Sequence, residues 1–144
     1  MSFSDQLAAA VLSTSSDAIV AADKDGIVRF WNPGAERIFG YANGTAIGKS
    51  LDIMIPERLR KRHWEGYQHV IETGESRYGH GDILAVPGIR EDGTGLSLEF
   101  TIVPMRDGAG EIIGLIAIMR DVTSRFEEMR DLRRKLSEAI KSRS

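Results

Sequence analysis

The chain has 144 residues, a formal net charge of −2 and no cysteine, and 42% of its residues are hydrophobic. That length suits one domain with a real core, and the composition is ordinary for a soluble globular protein. The near-neutral charge gives no reason to expect nucleic acid as a partner. Without cysteine, the chain cannot form a disulfide, a thiolate zinc site, a cysteine nucleophile, a cysteinyl–flavin adduct or a covalent c-type haem linkage.

Neither a membrane span nor an export signal is predicted. No apolar run approaches the ~20 residues that a membrane helix needs. The first five residues lack the basic region and the cleavage pattern of a secretory signal. We therefore expect a cytoplasmic protein without a membrane partner.

The first strands of the chain form a predicted β-hairpin. Apolar runs at 17–23 and 27–31 flank an Asp-Gly turn, which is a good signal for two antiparallel strands. An amphipathic helix precedes them, with Ser4 as its candidate cap and apolar residues on one face up to Leu12. After the hairpin, Pro33 suits the first turn of a short helix.

A longer helix is predicted in the middle of the chain. Pro56 suits its first turn, Glu57 complements its positive end, and Thr73-Gly74 stops it. Between the short and the long helix, Asn43-Gly44 predicts a turn.

Three strand candidates follow the long helix. They span roughly Ser76 to Val86, Gly95 to Met105 and Glu111 to Val122, with glycine-containing turns between them. Pro87 and Gly88 predict that the far end of the first of these strands is irregular or lies at a sheet edge.

The last strand is apolar on both faces. Strict alternation places one set of apolar side chains on one face and a second set on the other. The first set is Ile113, Leu115, Ala117 and Met119, and the second is Ile112, Ile116 and Ile118. We therefore expect a terminal helix or a partner subunit to cover the outer face of the sheet.

A final helix is predicted from Ser124, its candidate cap, toward Lys141. Its apolar residues repeat at intervals of three and four among charged residues, which favours a narrow seam between two helices. The seam residues are Met129, Leu132, Leu136 and Ala139. The alternative is a helix that folds back on its own sheet.

The order of elements is helix, two strands, helices, three strands and helix, which predicts an α+β domain with antiparallel hairpins and helices on one face. We divide the chain into an N-terminal helix at 1–12, a domain at 13–123 and a C-terminal helix at 124–144 with a possible coiled coil.

Within this domain the chain resembles a PAS domain, because several short motifs occur together in one order. Each motif alone is weak, but the ordered set is specific. The motifs are Asp17-Ala-Ile-Val-Ala-Ala-Asp23 with Gly26, Asn32-Pro-Gly-Ala-Glu-Arg-Ile-Phe-Gly-Tyr41, Gly48-Lys-Ser-Leu51, Ile55-Pro56-Glu57, Arg90-Glu-Asp-Gly93 and Arg120-Asp-Val-Thr123.

The resemblance implies a five-stranded antiparallel sheet whose concave face, with its flanking helices, can hold a ligand. It also implies a sensory or dimerisation role, with the signal passing through Asp121 and Thr123 into the helix that begins at Ser124. The simpler interpretation of Asp121 and Thr123 is a helix cap alone.

Histidines on the long helix are the main candidates for binding chemistry. At about 100° per residue, one set of residues shares a side of the helix, whereas His69 lies about 120° away and is expected to face water. The shared side consists of Leu59, His63, Gly66, Tyr67 and Val70. Gly66 would let a flat ring approach the helix closely.

The long helix is also similar to that of haem-binding PAS oxygen sensors. This resemblance implies haem b as the cofactor, with His63 as the ligand of the haem iron. His80 is near the place of a sixth ligand, and Asp82 stands where oxygen sensors carry an arginine. The remaining pocket residues implied are Gly66, Tyr67, Tyr78, Phe100 and Ile102.

The alternative is a domain without haem. A histidine on an apolar helix face more often makes a hydrogen bond in the core than a metal bond. Trp64 and Tyr67 are then core residues, although a flavin could stack on them without forming an adduct.

The resulting prediction is a non-enzymatic sensory module that binds a small ligand and forms a homodimer with an effector of unknown identity. The alternative function is dimerisation or protein interaction alone. The chain has no nucleophile elbow, phosphate-binding loop or zinc-protease motif, so no enzyme is predicted.

Overall fold

The computed structural model describes residues 2–75 and 86–143. Within these residues the chain forms five strands, five α-helices and two 3-10 turns. The strands are β1 (Ala18–Asp23), β2 (Val28–Trp31), β3 (Val86–Ile89), β4 (Gly95–Arg106) and β5 (Ile112–Asp121). The helices are α1 (Phe3–Leu12), α2 (Pro33–Phe39), α3 (Asn43–Ala46), α4 (Arg60–Thr73) and α5 (Thr123–Ser142), and the 3-10 turns are Leu51–Met54 and Glu57–Leu59.

One antiparallel sheet organises the domain, with the strand order β2-β1-β5-β4-β3. Strand β1 pairs with β2 as a hairpin and with β5 along its whole length. The central β5 therefore connects the first hairpin to β4 and to the start of α5. The predicted fold is confirmed: the chain is of the α+β class, with a five-stranded antiparallel sheet and a helix at each end.

The predicted strand from Ser76 to Val86 lies almost wholly outside the described residues. Strand β3 begins at Val86 and ends at Ile89, so Pro87 is within the strand and not beyond its end. Because β3 is an edge strand, its proline lacks an amide hydrogen without breaking the centre of the sheet.

Two predicted helix starts and one predicted turn were wrong. Helix α1 is capped by Ser2 and not Ser4, because Ser2 and Asp5 form a reciprocal capping box. Asn43-Gly44 starts α3 and does not form a turn. The long helix begins at Arg60, after a 3-10 turn that the amides of Leu59 and Arg60 close by donating to the carbonyls of Pro56 and Glu57.

A β-bulge changes the predicted faces of β5. Met105 pairs with Gly114, whereas Arg106 pairs with Ile112, so Ile113 is the extra residue. Ile112 consequently packs against the core and Ile113 is exposed, the reverse of the prediction from strict alternation.

The core lies between the inner face of the sheet and the helices α2 and α4. Its largest fully buried side chains include Trp31, Phe39 and Ile38. The buried polar residue among them is Asn32. Its side-chain oxygen accepts from the backbone amides of Ile19 and Ala35, and its side-chain nitrogen donates to the carbonyls of Thr14 and Asp17. This network joins β1 to α2.

The terminal helices leave the outer face of the sheet partly open. Neither α1 nor α5 contains a buried residue. The expectation that a terminal helix covers the outer face was therefore wrong for the single chain, and so was the alternative that α5 folds back on its sheet. Each of these helices joins the domain by a single end, which leaves its apolar stripe unpaired.

Among the described residues, no helix combines the length and the apolar character needed to cross a membrane.

Candidate functional site

Helix α4 turns one aromatic cluster toward the domain. The ring of His63 lies 4.8 Å from that of Trp64 and 5.9 Å from that of Tyr67, measured between centroids. Tyr67 and Val70 are buried, as the helical spacing predicts for this side of the helix. The cluster is the candidate functional site, and it lies over the inner face of the sheet.

His63 carries a buried nitrogen, Nδ1, that makes no hydrogen bond within the part of the chain that the structure describes. Burial lowers the pKa of His63 below its ordinary value, and the carboxylate of Asp52 opposes that shift only in part. The imidazole is therefore neutral at pH 7. A neutral imidazole with a free nitrogen can accept a hydrogen bond or bind a metal.

Trp64 attaches α4 to two other segments. Its indole Nε1 donates to the Oδ1 atom of Asp52, 2.8 Å away, in the first 3-10 turn. Its six-membered ring fills the space beside Gly26, where a side chain would otherwise stand. Gly26 has a φ of 76°, which the turn between β1 and β2 requires and which glycine tolerates.

Tyr67 attaches α4 to β1. Its hydroxyl donates to the carbonyl oxygen of Asp23, the last residue of the strand. Burial raises the pKa of Tyr67 above its ordinary value, and the charges of Asp23 and Asp25 raise it further, so the phenol stays protonated. The hydroxyl is therefore a fixed donor, and it holds α4 against the end of β1.

The structure brings some of the predicted site residues together. Phe100 and Ile102 are partly buried and pack against the same core as Tyr67, from the inner face of β4. A side chain at Gly66 would meet no atom within 4 Å, so the helix surface there is open to a neighbouring group.

The remaining predicted residues either lie outside the described part of the chain or differ in exposure from the prediction. Tyr78, His80 and Asp82 lie outside the described residues. His69 was expected to face water but is half-buried, because a residue 120° from the centre of the packed face lies at the margin of that face.

Asp121 and Thr123 form the junction between β5 and α5. The Asp121 carboxylate accepts from the amide of Thr123 at 3.0 Å and from its hydroxyl at 2.5 Å. The same hydroxyl oxygen accepts from the amide of Ser97 at 3.0 Å, and the amide of Val122 donates to the Ser97 carbonyl at 2.9 Å. Thr123 thus binds the start of α5 to β4, and the Asp121 carboxylate binds the first amide of the helix. Ser124 was the predicted cap, and that prediction was wrong: the helix begins at Thr123, and the residue before it is Val122, which has no capping side chain.

Arg90 extends the junction toward the turn between β3 and β4. Its guanidinium lies 3.5 Å from the Asp121 carboxylate and also donates to the hydroxyl of Thr94 at 2.9 Å. A shift of β5 would therefore disturb the first turn of α5 and this turn together.

The sequence analysis missed several residues of the site. Asp52 and Gly26 contact Trp64, Asp23 contacts Tyr67, and Arg90 contacts Asp121. Asp23 and Gly26 appeared only in the predicted hairpin and in its family motif, and no local pattern connects them to α4. Arg90 likewise appeared only in the motif Arg90-Glu-Asp-Gly93 of the family resemblance.

The donor chemistry of this site fits haem. A neutral imidazole with an unpaired nitrogen is the form of histidine that binds iron, and open space beside Gly66 leaves room for a flat group. Trp64 and Tyr67 are engaged elsewhere by hydrogen bonds and leave His63 as the free donor of the cluster among the described residues. No group of three or more histidine, aspartate or glutamate side chains that could hold a metal occurs within residues 2–75 and 86–143.

The amino-acid sequence is similar to those of two proteins that are named as sensors. The chain is 30% identical over 130 residues to Sensor protein FixL of Bradyrhizobium diazoefficiens, a match that covers 90% of the chain and 25% of FixL. It is 42% identical over 50 residues to Oxygen sensor protein DosP of Escherichia coli, covering 35% of the chain and 6% of DosP. The chain thus spans a quarter or less of the length of each of these two relatives.

Solved structures and a family model agree on the fold. The crystal structure of a PAS domain from Colwellia psychrerythraea superposes with a TM-score of 0.73 at 24% identity, covering 85% of this chain and 99% of that one. The family model described as PAS fold matches residues 12–127, which is most of the sequence. On this match, and on the sheet order described above, the chain belongs to the PAS family.

Proposed function

We propose that the chain is a cytoplasmic, non-enzymatic sensory PAS module that holds a small ligand or cofactor beside His63 and signals through α5. The observation that carries this proposal is the buried Nδ1 atom of His63, which no described residue satisfies. A buried polar atom without a partner is unusual in a folded protein, and a ligand is one way to satisfy it.

Haem b is the proposed cofactor. His63 would hold the iron through its neutral imidazole, and Gly66, Phe100 and Ile102 would line the surrounding pocket. Once bound, haem supplies an iron whose remaining coordination position can take a gas ligand. The names of FixL and DosP support this choice, because both are called sensors and one an oxygen sensor.

The residues of this chain provide a route from the site to α5. A change at His63 acts on α4, which Tyr67 and Trp64 attach to the end of β1 and to the turn that follows it. Strand β1 is paired with β5 along its length, and β5 leads to Asp121. A ligand shifts α5 only to the extent that it stabilises one arrangement of these contacts over another.

The partner we propose is a second copy of the chain. Helix α5 exposes an apolar stripe, and the outer face of the sheet exposes Val103, Ile113 and Ile118. Exposed apolar patches of this kind mark interaction surfaces. An effector protein or domain would then receive the signal from α5.

A visible absorption spectrum tests the cofactor. The chain is mixed with haemin, excess haemin is removed, and the Soret region is recorded in the ferric and ferrous states. We expect a Soret band that is lost in His63→Ala and kept in His69→Ala, the matched control on the same helix. A well-folded chain without a band, or a band that His63→Ala leaves unchanged, overturns the proposal.

A second candidate function is dimerisation or protein interaction without haem. The specific observation that favours it is that Trp64 and Tyr67 already fill contacts with Gly26 and Asp23, as core residues do. A chain that is dimeric by light scattering but takes up no haemin would support this candidate over the first.

A further inference from the structure

A groove lies between the first two turns of α5 and the edge of the sheet that β3 forms. Its volume is about 360 Å³, which is within the range of sites that bind small molecules. One wall belongs to the domain and consists of the second 3-10 turn, β3 and the start of β4, and the other wall is α5. His63, Tyr67, Phe100 and Ile102 do not line it, so the groove is separate from the candidate site beside His63.

Two arginines line the groove, Arg58 from the domain wall and Arg130 from α5. Neither guanidinium makes an ion pair or a side-chain hydrogen bond among the described residues. Nearby arginines are engaged, since Arg60 donates to backbone carbonyls and Arg125 pairs with Glu99 at 2.8 Å. A guanidinium stays charged at pH 7 and offers its donors in a planar fork that matches a carboxylate, so the groove attracts an anion.

The groove also presents apolar surface. Pro56 and Pro87 contribute to the domain wall, and Phe126 contributes to the helix wall. Phe126 is 46% exposed, although it lies in the first turn of a helix that is bound to the sheet. An apolar group in the groove would cover part of this side chain, and that burial favours a ligand with an apolar body over a bare inorganic ion.

The charge of the ligand is limited by Glu127, which lines the groove on the same helix as Arg130. Its carboxylate makes no ion pair within residues 2–75 and 86–143. Because repulsion grows with the charge of the ligand, this carboxylate disfavours a dianion such as phosphate more than a monoanion.

We propose that the groove binds a small organic carboxylate with an apolar body and a single negative charge. The carboxylate is held by Arg58 and Arg130, and the apolar body lies against Pro87 and Phe126. Since one arginine belongs to the domain and the other to α5, the ligand holds the helix against the domain. This effect on α5 rests on the signalling role of the proposed function, whereas binding in the groove does not depend on His63.

Benzoate is the probe, because it is a flat apolar monoanion, and benzyl alcohol is its uncharged counterpart. Titration of the chain is followed by the amide signals in NMR spectra. We expect saturable shifts at Ser97, Thr123 and Phe126 with a Kd on the order of 1–10 mM, and no comparable shifts at Tyr67 and Val70. Benzyl alcohol and inorganic phosphate are expected to bind at least about threefold more weakly.

Arginine variants test the assigned donors. Arg58→Ala and Arg130→Ala should each raise the Kd of benzoate about three- to tenfold, because each removes one charged donor from a partly exposed site. Arg62→Ala and Arg133→Ala are the matched controls, since neither residue lines the groove, and each should stay within about twofold of the natural chain. Equal effects of the test and control variants overturn the proposal.

Two further variants act in opposite directions. Gly95 lines the groove, and a Cβ there would meet no atom within 4 Å, so Gly95→Val fills the groove without a clash and should abolish the saturable shifts. Glu127→Gln removes the repulsion and should lower the Kd of benzoate about two- to threefold and that of phosphate further. A Glu127→Gln chain that binds benzoate more weakly than the natural chain contradicts the assigned charge of the ligand.

Hydrogen exchange tests the effect on α5. Near-saturating benzoate should slow exchange of the Phe126 amide at least about twofold and leave that of Leu136, two turns beyond the groove, unchanged. Binding without slower exchange at Phe126 overturns the hold on α5. Unsaturated shifts, benzyl alcohol binding as tight as benzoate, or shifts centred on Tyr67 overturn the site itself. The absence of a haem band leaves all these expectations in force, so failure of the proposed cofactor is distinguishable from failure of the groove.

Discussion

Trp64 on α4 packs its six-membered ring into the space above Gly26, between β1 and β2, where a side chain at position 26 would stand. Residues 38 positions apart thereby fix the distance between the long helix and the first hairpin. The contact needs both the positive φ of the turn and the missing Cβ, so glycine serves two purposes at one position.

We expect Gly26→Ala to destabilise the domain by about 2–4 kcal/mol, since it adds left-handed backbone strain to a clash with the indole. Urea denaturation followed by tryptophan fluorescence measures the change. Gly44→Ala is the control, because a Cβ there would meet no atom within 4 Å. Equal stability of the two variants would show that the Trp64 contact does not hold α4.

Removal of the Tyr67 hydroxyl tests the link between α4 and β1. Tyr67→Phe keeps the ring and loses the hydrogen bond to the Asp23 carbonyl, which should lower the free energy of unfolding by about 0.5–1.5 kcal/mol. Tyr41→Phe is the matched variant, because the Tyr41 hydroxyl makes no hydrogen bond in the part of the chain described. An effect of Tyr67→Phe no larger than that of Tyr41→Phe contradicts the prediction.

The lowered pKa of His63 predicts how stability depends on pH. Because the folded state holds this proton less tightly than the unfolded state, the free energy of unfolding should fall as pH drops below the unfolded pKa of about 6.5. The loss should continue until the pH reaches the lower folded pKa.

His63→Gln should flatten that part of the stability profile. Urea denaturation at a series of pH values measures the profile, and NMR titration of the imidazole protons gives the pKa directly. A His63 pKa at or above 6.5 would refute the prediction.

The junction can be tested by an isosteric change. Thr123→Val removes the acceptor of the Ser97 amide and the donor to Asp121, leaving a part-buried amide unpaired. We expect a loss of about 1–3 kcal/mol and faster hydrogen exchange at Ser97 and Phe126. Thr101→Val, at an exposed position on β4, should change neither exchange rate, and unaltered exchange in Thr123→Val would show that the junction does not hold α5.

Much of the fold could be predicted from local pattern. Turn residues between apolar runs predicted the hairpin of β1 and β2, helical spacing predicted the side of α4 that carries Tyr67 and Val70, and the three-four spacing predicted the stripe of α5. These features depend on residues two, three or four positions apart, and such spacing is visible in a single sequence. The ordered motifs added the family and, through it, the candidate at His63.

The candidate site depended on tertiary structure. Trp64 meets Gly26, Tyr67 meets Asp23, and Asp121 meets Arg90 across 31 to 44 positions of chain, and the bulge at Ile113 reverses a face that strict alternation assigned. Sequence by itself determined where strands and helices form and which of their sides is apolar, because those properties are local. The packing of distant segments around one shared core decided which side chains touch. It also left the His63 Nδ1 atom without a partner among the described residues.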